Sequence, residues 1–122
     1  MATILIVEDD RFLSSAYRLK FTKVGFSVHL AMDGQEAMAI LQTVIPDIIL
    51  LDLVMPVKDG FTVLSELKAD EKLKSIPVII TSNLSQKEDV DKAKGLGALD
   101  FIIKSDVSLD DLVKKVQGIL TG

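Results

Sequence analysis

The 122-residue chain contains no cysteine. This excludes disulfide bonds, thiolate zinc sites and cysteine nucleophiles. A long apolar segment is also missing from its start, MATILIVEDD, where acids interrupt the apolar run after a few positions, so neither a signal peptide nor a membrane span is expected there. The net charge of -4 offers no basic field to nucleic acid or to an anionic membrane surface. We therefore expect a partner that is a protein or a metal ion.

No linker, internal repeat or low-complexity tract divides the sequence. Its composition, 48% hydrophobic and 26% charged, suits one globular domain. We expect a single domain over residues 1–122, with no output domain on this chain. A glycine-rich loop that ends in lysine and serine or threonine is absent too, which excludes a P-loop phosphohydrolase.

Short aliphatic runs alternate with segments of helical period along the chain. The runs predicted as strands are 3–7, 26–31, 47–51, 77–81 and 99–103. The residues predicted on the apolar faces of the first, third and last helices are Leu13, Ala16, Tyr17, Phe21 and Val24; Phe61, Leu64 and Leu67; and Leu109, Leu112, Val113, Val116 and Leu120. Capping boxes are predicted at Asp33 with Glu36 and at Ser85 with Glu88.

Five strand-helix units predict an α/β fold, because parallel strands need a crossover between them and the crossover helices cover both faces of the sheet. Most of the runs are continuously aliphatic, as strands buried on both faces are. The run 26–31 instead alternates apolar residues with Ser27 and His29, which predicts an edge strand. The single histidine is therefore expected to be a surface residue.

Polar residues come directly after four of the predicted strands. These residues are Glu8, Asp9 and Asp10 after the first strand, Asp52 after the third, Ser82 and Asn83 after the fourth, and Lys104 after the fifth. The carboxyl ends of parallel strands meet at one edge of the sheet, where ligands bind at the point at which strand order reverses. Any one of these acids, or the lysine or serine, could be a helix cap or a solvated side chain. Their convergence from four segments favours a shared site.

Several carboxylates and one lysine at one edge suit phosphoryl chemistry. Neighbouring carboxylates repel each other unless a cation intervenes, and Mg²⁺ prefers oxygen ligands, including one or two carboxylates and a phosphate oxygen. A carboxylate is also a nucleophile toward phosphorus when metal and lysine neutralise the charge of the transferring group. A hydroxyl such as that of Ser82 could donate a hydrogen bond to a phosphoryl oxygen.

The motifs ILIVEDD at 4–10, LLDLVMPVKDG at 50–60, IPVIITSN at 76–83 and DFIIKS at 100–105 together resemble the receiver domain of two-component response regulators, of the single-domain, chemotaxis-regulator-like kind. The resemblance covers essentially the whole chain. It implies a flavodoxin-like, doubly wound (βα)₅ fold with a five-stranded parallel sheet in the order 2-1-3-4-5. It also implies a cytoplasmic location, with which the absence of cysteine is compatible.

The resemblance assigns a role to each matching position. Asp52 would be the phosphoacceptor and a metal ligand. Mg²⁺, or Mn²⁺ in its place, would also be bound by Asp9, by Glu8 directly or through water, and by the backbone carbonyl of Val54. Lys104 would bind the phosphoryl group. Ser82 would be the switch hydroxyl and Phe101 the switch aromatic residue, although Phe101 could also serve only in packing.

Two positions depart from the family pattern. Ser105 stands after the lysine where proline is most common, so a cis peptide bond, which costs about 3 kcal/mol without proline, is not assured there. Asn83 stands where a small residue is common, and with the apolar Val54 and Leu84 it is expected to restrict the access of water to a phosphorylated Asp52 and to slow its hydrolysis.

The implied partners are a histidine kinase or histidine phosphotransfer protein and a downstream effector protein, with no direct contact to nucleic acid or membrane. Phosphorylation would shift the surface formed by the fourth helix, the fifth strand and the fifth helix. The protein would catalyse only its own phosphorylation and dephosphorylation. The closest alternative is a pseudo-receiver that binds proteins without phosphorylation. A flavodoxin-like cofactor binder is disfavoured by the acids after the first strand, and a haloacid-dehalogenase-type phosphatase by Val54, where a second acid would stand.

Overall fold

The computed structural model of the protein describes residues 2–84 and 86–121, and within them five strands alternate with five α-helices. The strands are β1 (Thr3–Val7), β2 (Ser27–Ala31), β3 (Ile48–Leu51), β4 (Val78–Ser82) and β5 (Asp100–Ile103). The helices are α1 (Arg11–Lys23), α2 (Gly34–Ile40), α3 (Gly60–Ala69), α4 (Lys87–Gly95) and α5 (Leu109–Thr121). One turn of 3₁₀-helix, Lys104–Asp106, comes directly after β5.

All strands pair in parallel, in the order β2-β1-β3-β4-β5. This confirms the predicted fold, including the edge position of β2. The register sets Val7 of β1 beside Leu51 of β3, so the two strands end side by side. Glu8 and Asp52, the next residues along the chain, therefore start from neighbouring points at the carboxyl edge of the sheet.

The core lies on both faces of the sheet, because the central strands alternate their side chains between the two faces. Ile48 and Leu50 of β3 pack on one face with the buried residues of α1 and α5. Ile49 and Leu51 pack on the other face with those of α2, α3 and α4. The four residues of β3 are fully buried, so the strand fixes the position at which Asp52 leaves the core.

Two helix starts obey the capping rules, including the one predicted at Asp33. Asp10 caps α1, where its Oδ1 accepts the Leu13 N–H at 3.0 Å. Asp33 caps α2, where it accepts the Glu36 N–H at 2.8 Å. The carboxylate of Glu36 reaches back to the N–H of Met32, one residue before the cap, at 3.0 Å. The other predicted capping box involves Ser85, which lies outside the described residues.

Two details of the sequence prediction are wrong. Val24 does not belong to the buried face of α1: it is the C-cap, 45% exposed, because the helix ends at Lys23 and the chain turns away at Gly25, whose φ is +99°. Ser82 does not come after β4 but is its last residue, pairing in register with Ile103 of β5. Both differences are of about one residue, because the pattern of apolar residues does not mark the exact end of a helix or a strand.

The helices within the described residues are too short or too polar to cross a membrane.

Candidate functional site

The first acidic side chain of the site is buried by the continuation of β1. The N–H of Glu8 donates to the carbonyl of Ala31 at 3.0 Å, so sheet pairing extends one residue past the strand. The carboxylate of Glu8 is consequently only 1% exposed, and its Oε2 accepts the N–H of Asp10 at 3.1 Å. Asp9, between them, is exposed to solvent. One acid of this segment is thus buried and the next is exposed.

Asp52 is held in the same way at the end of β3. Its N–H donates to the carbonyl of Val7 at 3.0 Å, and the residue is 5% exposed. Its Oδ1 faces the N–H of Val54 at 3.4 Å. Gly60, the first residue of α3, packs so tightly on the backbone of Asp52 and Leu53 that a Cβ atom there would clash with both. The start of α3 therefore holds the backbone of Asp52 in place by direct contact.

Lys104 brings a positive charge to these two buried acids. Its Nζ lies 2.5 Å from Oε1 of Glu8 and 3.2 Å from Oδ2 of Asp52, and its side chain is 13% exposed. Lys104 is the residue directly after β5, and the Lys104–Ser105 peptide bond is trans. Side chains at the ends of three different strands thus meet at one edge, as the sequence predicts.

Burial decides the direction of the pKa shift for the two acids but not for the lysine. It raises the pKa of Glu8 and of Asp52, and the nearby ammonium of Lys104 only partly counteracts this effect. Burial alone would lower the pKa of Lys104, but the hydrogen bond to Glu8 and the charges of Asp52 and Glu8 outweigh it and raise the pKa. The two acids are therefore short of positive charge, and the lysine remains protonated.

The donor atoms fit a hard divalent cation. Carboxylate oxygens of Glu8, Asp9 and Asp52 all lie within 4.8 Å of one another. Oxygen-only ligation with open positions for water is the arrangement that Mg²⁺ prefers, and Mn²⁺ also accepts carboxylate oxygens. Val54, which is 62% exposed, lines the same cleft. The residues present could hold Mg²⁺ or Mn²⁺.

A cleft of about 510 Å³ joins these groups to the end of β4. The residues that line it are Glu8, Asp9, Asp10, Asp52, Val54, Ser82, Asn83, Leu84 and Lys104. Ser82 is 1% exposed, and its Oγ accepts the N–H of Leu84 at 3.1 Å. Because the Leu84 N–H occupies one acceptor position of this oxygen, the hydroxyl proton of Ser82 remains available as a donor.

Six of the seven predicted site residues line this cleft, and Phe101 does not. Phe101 is half-buried on β5, where it pairs in register with Ile80, two residues before Ser82. It packs against the core cluster that also contacts Leu84 and Leu96. Phe101 therefore lies near the end of β4 and outside the lining of the cleft.

A larger depression, of about 630 Å³, lies away from this cleft, beside the C-terminal ends of α2 and α3. Its acids are engaged locally: Asp70 accepts the N–H of Lys72 at 2.8 Å, and Glu71 lies 2.8 Å from Lys74. Among the described residues that line it, none is a buried acid or a buried lysine. The larger cavity thus lacks the buried charged groups that line the smaller one.

Two features near the site were not predicted from the sequence. Tyr17 is buried, as its place on the apolar face of α1 predicts, but its position near the acids was not predicted: its pKa is raised by burial first and then by the negative charges of Glu8, Asp52 and Asp10. Val57, in the loop after Asp52, has a positive φ of 69°. Neither residue type nor spacing signals these features, since the first depends on helix packing and the second on the path of a loop.

Comparison with known proteins identifies a family. The profile described as "Response regulator receiver domain" matches residues 4–117. Protein PilH of Pseudomonas aeruginosa is 34% identical over 122 residues, which cover the whole of both chains. The DNA-binding dual master transcriptional regulator RpaA of Synechocystis is 33% identical over 120 residues, 98% of this chain but 49% of that protein. This chain thus spans about half the length of RpaA.

Among solved structures, the Mn²⁺-bound form of response regulator Rcp1 superimposes with a TM-score of 0.81 at 36% identity, over 98% of this chain and 91% of that one.

Proposed function

Because this chain belongs to the response regulator receiver family of two-component systems, we propose that Asp52 accepts a phosphoryl group from a histidine kinase or a histidine phosphotransfer protein. The observation that carries the proposal is the meeting of Asp52 with Lys104 at 3.2 Å in a cleft that also holds three further acids and a serine. Within residues 2–84 and 86–121, no other group of three or more metal-binding side chains comes together.

Glu8, Asp9 and Asp52 would hold Mg²⁺, or Mn²⁺, together with the backbone carbonyl of Val54. When bound, the ion supplies positive charge that neutralises the oxygens of the transferring group. The raised pKa values of Glu8 and Asp52 support this assignment, because buried acids that lack positive charge gain most from a cation. The form of Rcp1 that carries Mn²⁺ is a similar structure with this kind of ion.

In the transfer, a carboxylate oxygen of Asp52 attacks the phosphorus of a phosphohistidine. The new P–O bond forms as the P–N bond breaks, and the imidazole nitrogen leaves with the electron pair. Lys104 compensates the charge on the phosphoryl oxygens. Held by Glu8 at 2.5 Å, its ammonium is already oriented before the donor arrives, so little reorganisation is needed.

Ser82 would couple this chemistry to the rest of the molecule. The phosphoryl group adds about -1.5 to -2 charge and strong acceptor oxygens, toward which Ser82 can turn its hydroxyl. Movement of Ser82 leaves space for Phe101 to turn inward. The surface formed by α4, β5 and α5 then changes, and an effector protein that prefers this form is recruited.

The weak packing of α4 supports this output surface. Ala93 is the one buried residue of the nine in α4, all of which the structure describes. A helix with so few buried contacts shifts at low cost. The chain would act through this surface as a single receiver domain, with no direct nucleic-acid or membrane contact, in the cytoplasm. It would catalyse only its own phosphorylation and dephosphorylation.

Beryllofluoride with Mg²⁺, a mimic of the bound phosphoryl group, tests the proposal. We expect chemical-shift changes at Ser82, Phe101 and α4 in NMR spectra of the wild-type protein. Asp52→Asn should abolish them. Glu71→Gln, which changes an 86%-exposed acid outside the cleft, should leave them unchanged.

The second candidate function is a pseudo-receiver that binds a protein without phosphorylation. The observation in its favour is the direct 3.2 Å contact of Lys104 with Asp52, which partly occupies the acceptor. A wild-type protein that does not respond to beryllofluoride and Mg²⁺ would support this second function and contradict the first.

A further inference from the structure

Val57 adopts a backbone conformation that valine rarely takes. Its φ is +69°, and the N–H of Lys58 donates to the carbonyl of Pro56 at 2.7 Å across it. This combination forms a γ-turn of the rarer hand, which is strained even for flexible residues. The left-handed region disfavours a residue with a Cβ atom by roughly a factor of 5 to 30, and β-branching adds to the crowding.

The side chain of Val57 does not offset this strain. It is 74% exposed, so it buries little apolar surface in return for its backbone conformation. Strained residues persist when the surrounding structure imposes their conformation. The cause therefore lies in the chain on either side of Val57.

Both ends of the loop are anchored. Leu53, next to Asp52, accepts the N–H of Gly60 at 2.9 Å, which closes the loop between them. Nζ of Lys58 contacts both carboxylate oxygens of Glu66 on α3 at 2.7 Å. Asp59 caps α3 by accepting the N–H of Thr62 at 2.9 Å. Only the segment from Val54 to Val57 lies between these anchors, and the γ-turn shortens its path so that it fits between them.

The γ-turn therefore bears on the position of Val54 in the loop. While it is closed, the short path keeps Val54 beside Asp52, with the N–H of Val54 3.4 Å from Oδ1 of Asp52. If Val57 relaxes to a negative φ, the bond from Lys58 to Pro56 breaks and the segment that carries Val54 is released. The stabilisation from one hydrogen bond is similar to the energetic cost of one strained residue, so the two forms of the loop compete.

We propose that Val57 is a positioning residue that sets the Mg²⁺ affinity of the cleft: the cost of its left-handed backbone opposes the loop form that presents Val54 to the ion. This inference rests on the proposed function, in which the Val54 carbonyl is a ligand. Relief of the strain at this position strengthens metal binding without any change in the ligands.

Calorimetric titration with Mg²⁺ tests the inference in four proteins. Val57→Gly and Val57→Asn both allow a positive φ, and we expect each to bind Mg²⁺ about 3- to 10-fold more tightly than the wild type. Val57→Ile is the matched control, because it remains β-branched and equally strained, and its affinity should stay within about twofold of the wild type. If both variants bind Mg²⁺ more tightly, the cause is relief of strain and not the added flexibility of glycine, because asparagine adds no such flexibility.

Urea unfolding without metal separates the inference from simple stabilisation. If Val57→Gly and Val57→Asn unfold at higher urea concentration but bind Mg²⁺ with wild-type affinity, the γ-turn is already fully closed and the inference is wrong. Weaker binding by both variants would also overturn it. A wild-type protein that binds no Mg²⁺ would overturn both this inference and the proposed function. If the wild type responds normally to beryllofluoride and the variants bind Mg²⁺ with wild-type affinity, only the inference is overturned.

Discussion

The ammonium of Lys104 lies 2.5 Å from the carboxylate of Glu8, closer than the 3.2 Å that separates it from Asp52. The lysine is therefore anchored mainly by the acid that is not the proposed acceptor. Asp52 keeps a neighbouring positive charge without being fully neutralised by it. Glu8 is 1% exposed, so its own charge depends on this contact when no divalent cation is bound.

Removal of Lys104 alone should destabilise the metal-free protein. In Lys104→Met, the buried carboxylate of Glu8 loses its cation, and we expect the free energy of unfolding to fall by about 2 kcal/mol in urea titrations with a chelator present. The double variant Glu8→Gln with Lys104→Met should recover most of this loss, because the buried charge is gone as well. Equal stability of Lys104→Met and the wild type would show that the contact contributes nothing to folding.

A methyl group at Gly60 should damage both the fold and the site. In Gly60→Ala, the new Cβ clashes with the backbone of Asp52 and Leu53, and we expect a loss of at least about 2 kcal/mol in the free energy of unfolding. Gly118→Ala is the matched control, since nothing lies within 4 Å of the added atom in α5, and it should stabilise the protein by about 0.5–1 kcal/mol. Thermal unfolding followed by circular dichroism measures both, and similar shifts in the two variants would contradict the close approach.

Asn83 should slow the loss of the phosphoryl group. Its exposed side chain lines the cleft beside Ser82, where we expect it to narrow the path of an attacking water. We expect Asn83→Ala to shorten the half-life of phosphorylated Asp52 by a factor of roughly 2 to 10, which corresponds to about 0.4–1.4 kcal/mol in the barrier. The decay of phosphoprotein after removal of the donor gives the rate, and an unchanged half-life would remove Asn83 from this role.

The contact between Asp100 and Lys115 should make stability depend on pH. Burial alone would raise the pKa of Asp100, but bonds from Lys115 at 2.7 Å and from the Phe101 N–H at 2.8 Å, with the charge of Lys94, lower it overall. A carboxyl with a lowered pKa stabilises the fold above its unfolded value, near 3.8, and loses this effect as pH falls through the folded value. Asp100→Asn should therefore cost about 1 kcal/mol at pH 7 and clearly less at pH 3.

Urea unfolding of the wild type and Asp100→Asn at the two pH values measures this difference. Asp91→Asn is the control, because its pair with Lys87 is 61% and 89% exposed and is expected to contribute less than about 0.5 kcal/mol. A deficit of Asp100→Asn that stays constant between pH 7 and pH 3 would contradict the electrostatic explanation.

The fold could be predicted because its signals are local. Continuous aliphatic runs such as 48–51 mark buried parallel strands, and the alternation around His29 marks the edge strand β2. Once the strands are parallel, their carboxyl ends must share one edge, which brings Glu8, Asp52 and Lys104 together without knowledge of a single contact. The shared edge could therefore be inferred from the parallel topology, while the strand order was implied by the resemblance to receiver domains.

The distances and the strain could not be predicted in this way. That Lys104 favours Glu8 over Asp52 depends on differences of less than 1 Å between side chains from three strands. Val57, with its positive φ, lies between contacts made by Leu53 with Gly60 and by Lys58 with Glu66, and valine itself gives no sign of this conformation. Properties that arise from closing a loop between fixed points are not encoded in the residue that bears them.

The nearly unburied helix α4 has a consequence for how chains of this kind can diversify. Since Ala93 is the one buried residue of the nine in α4, most of the helix surface can be substituted while the sheet and the acidic cleft stay intact. Copies of such a gene could thus acquire different binding partners at α4 while keeping the same acidic cleft.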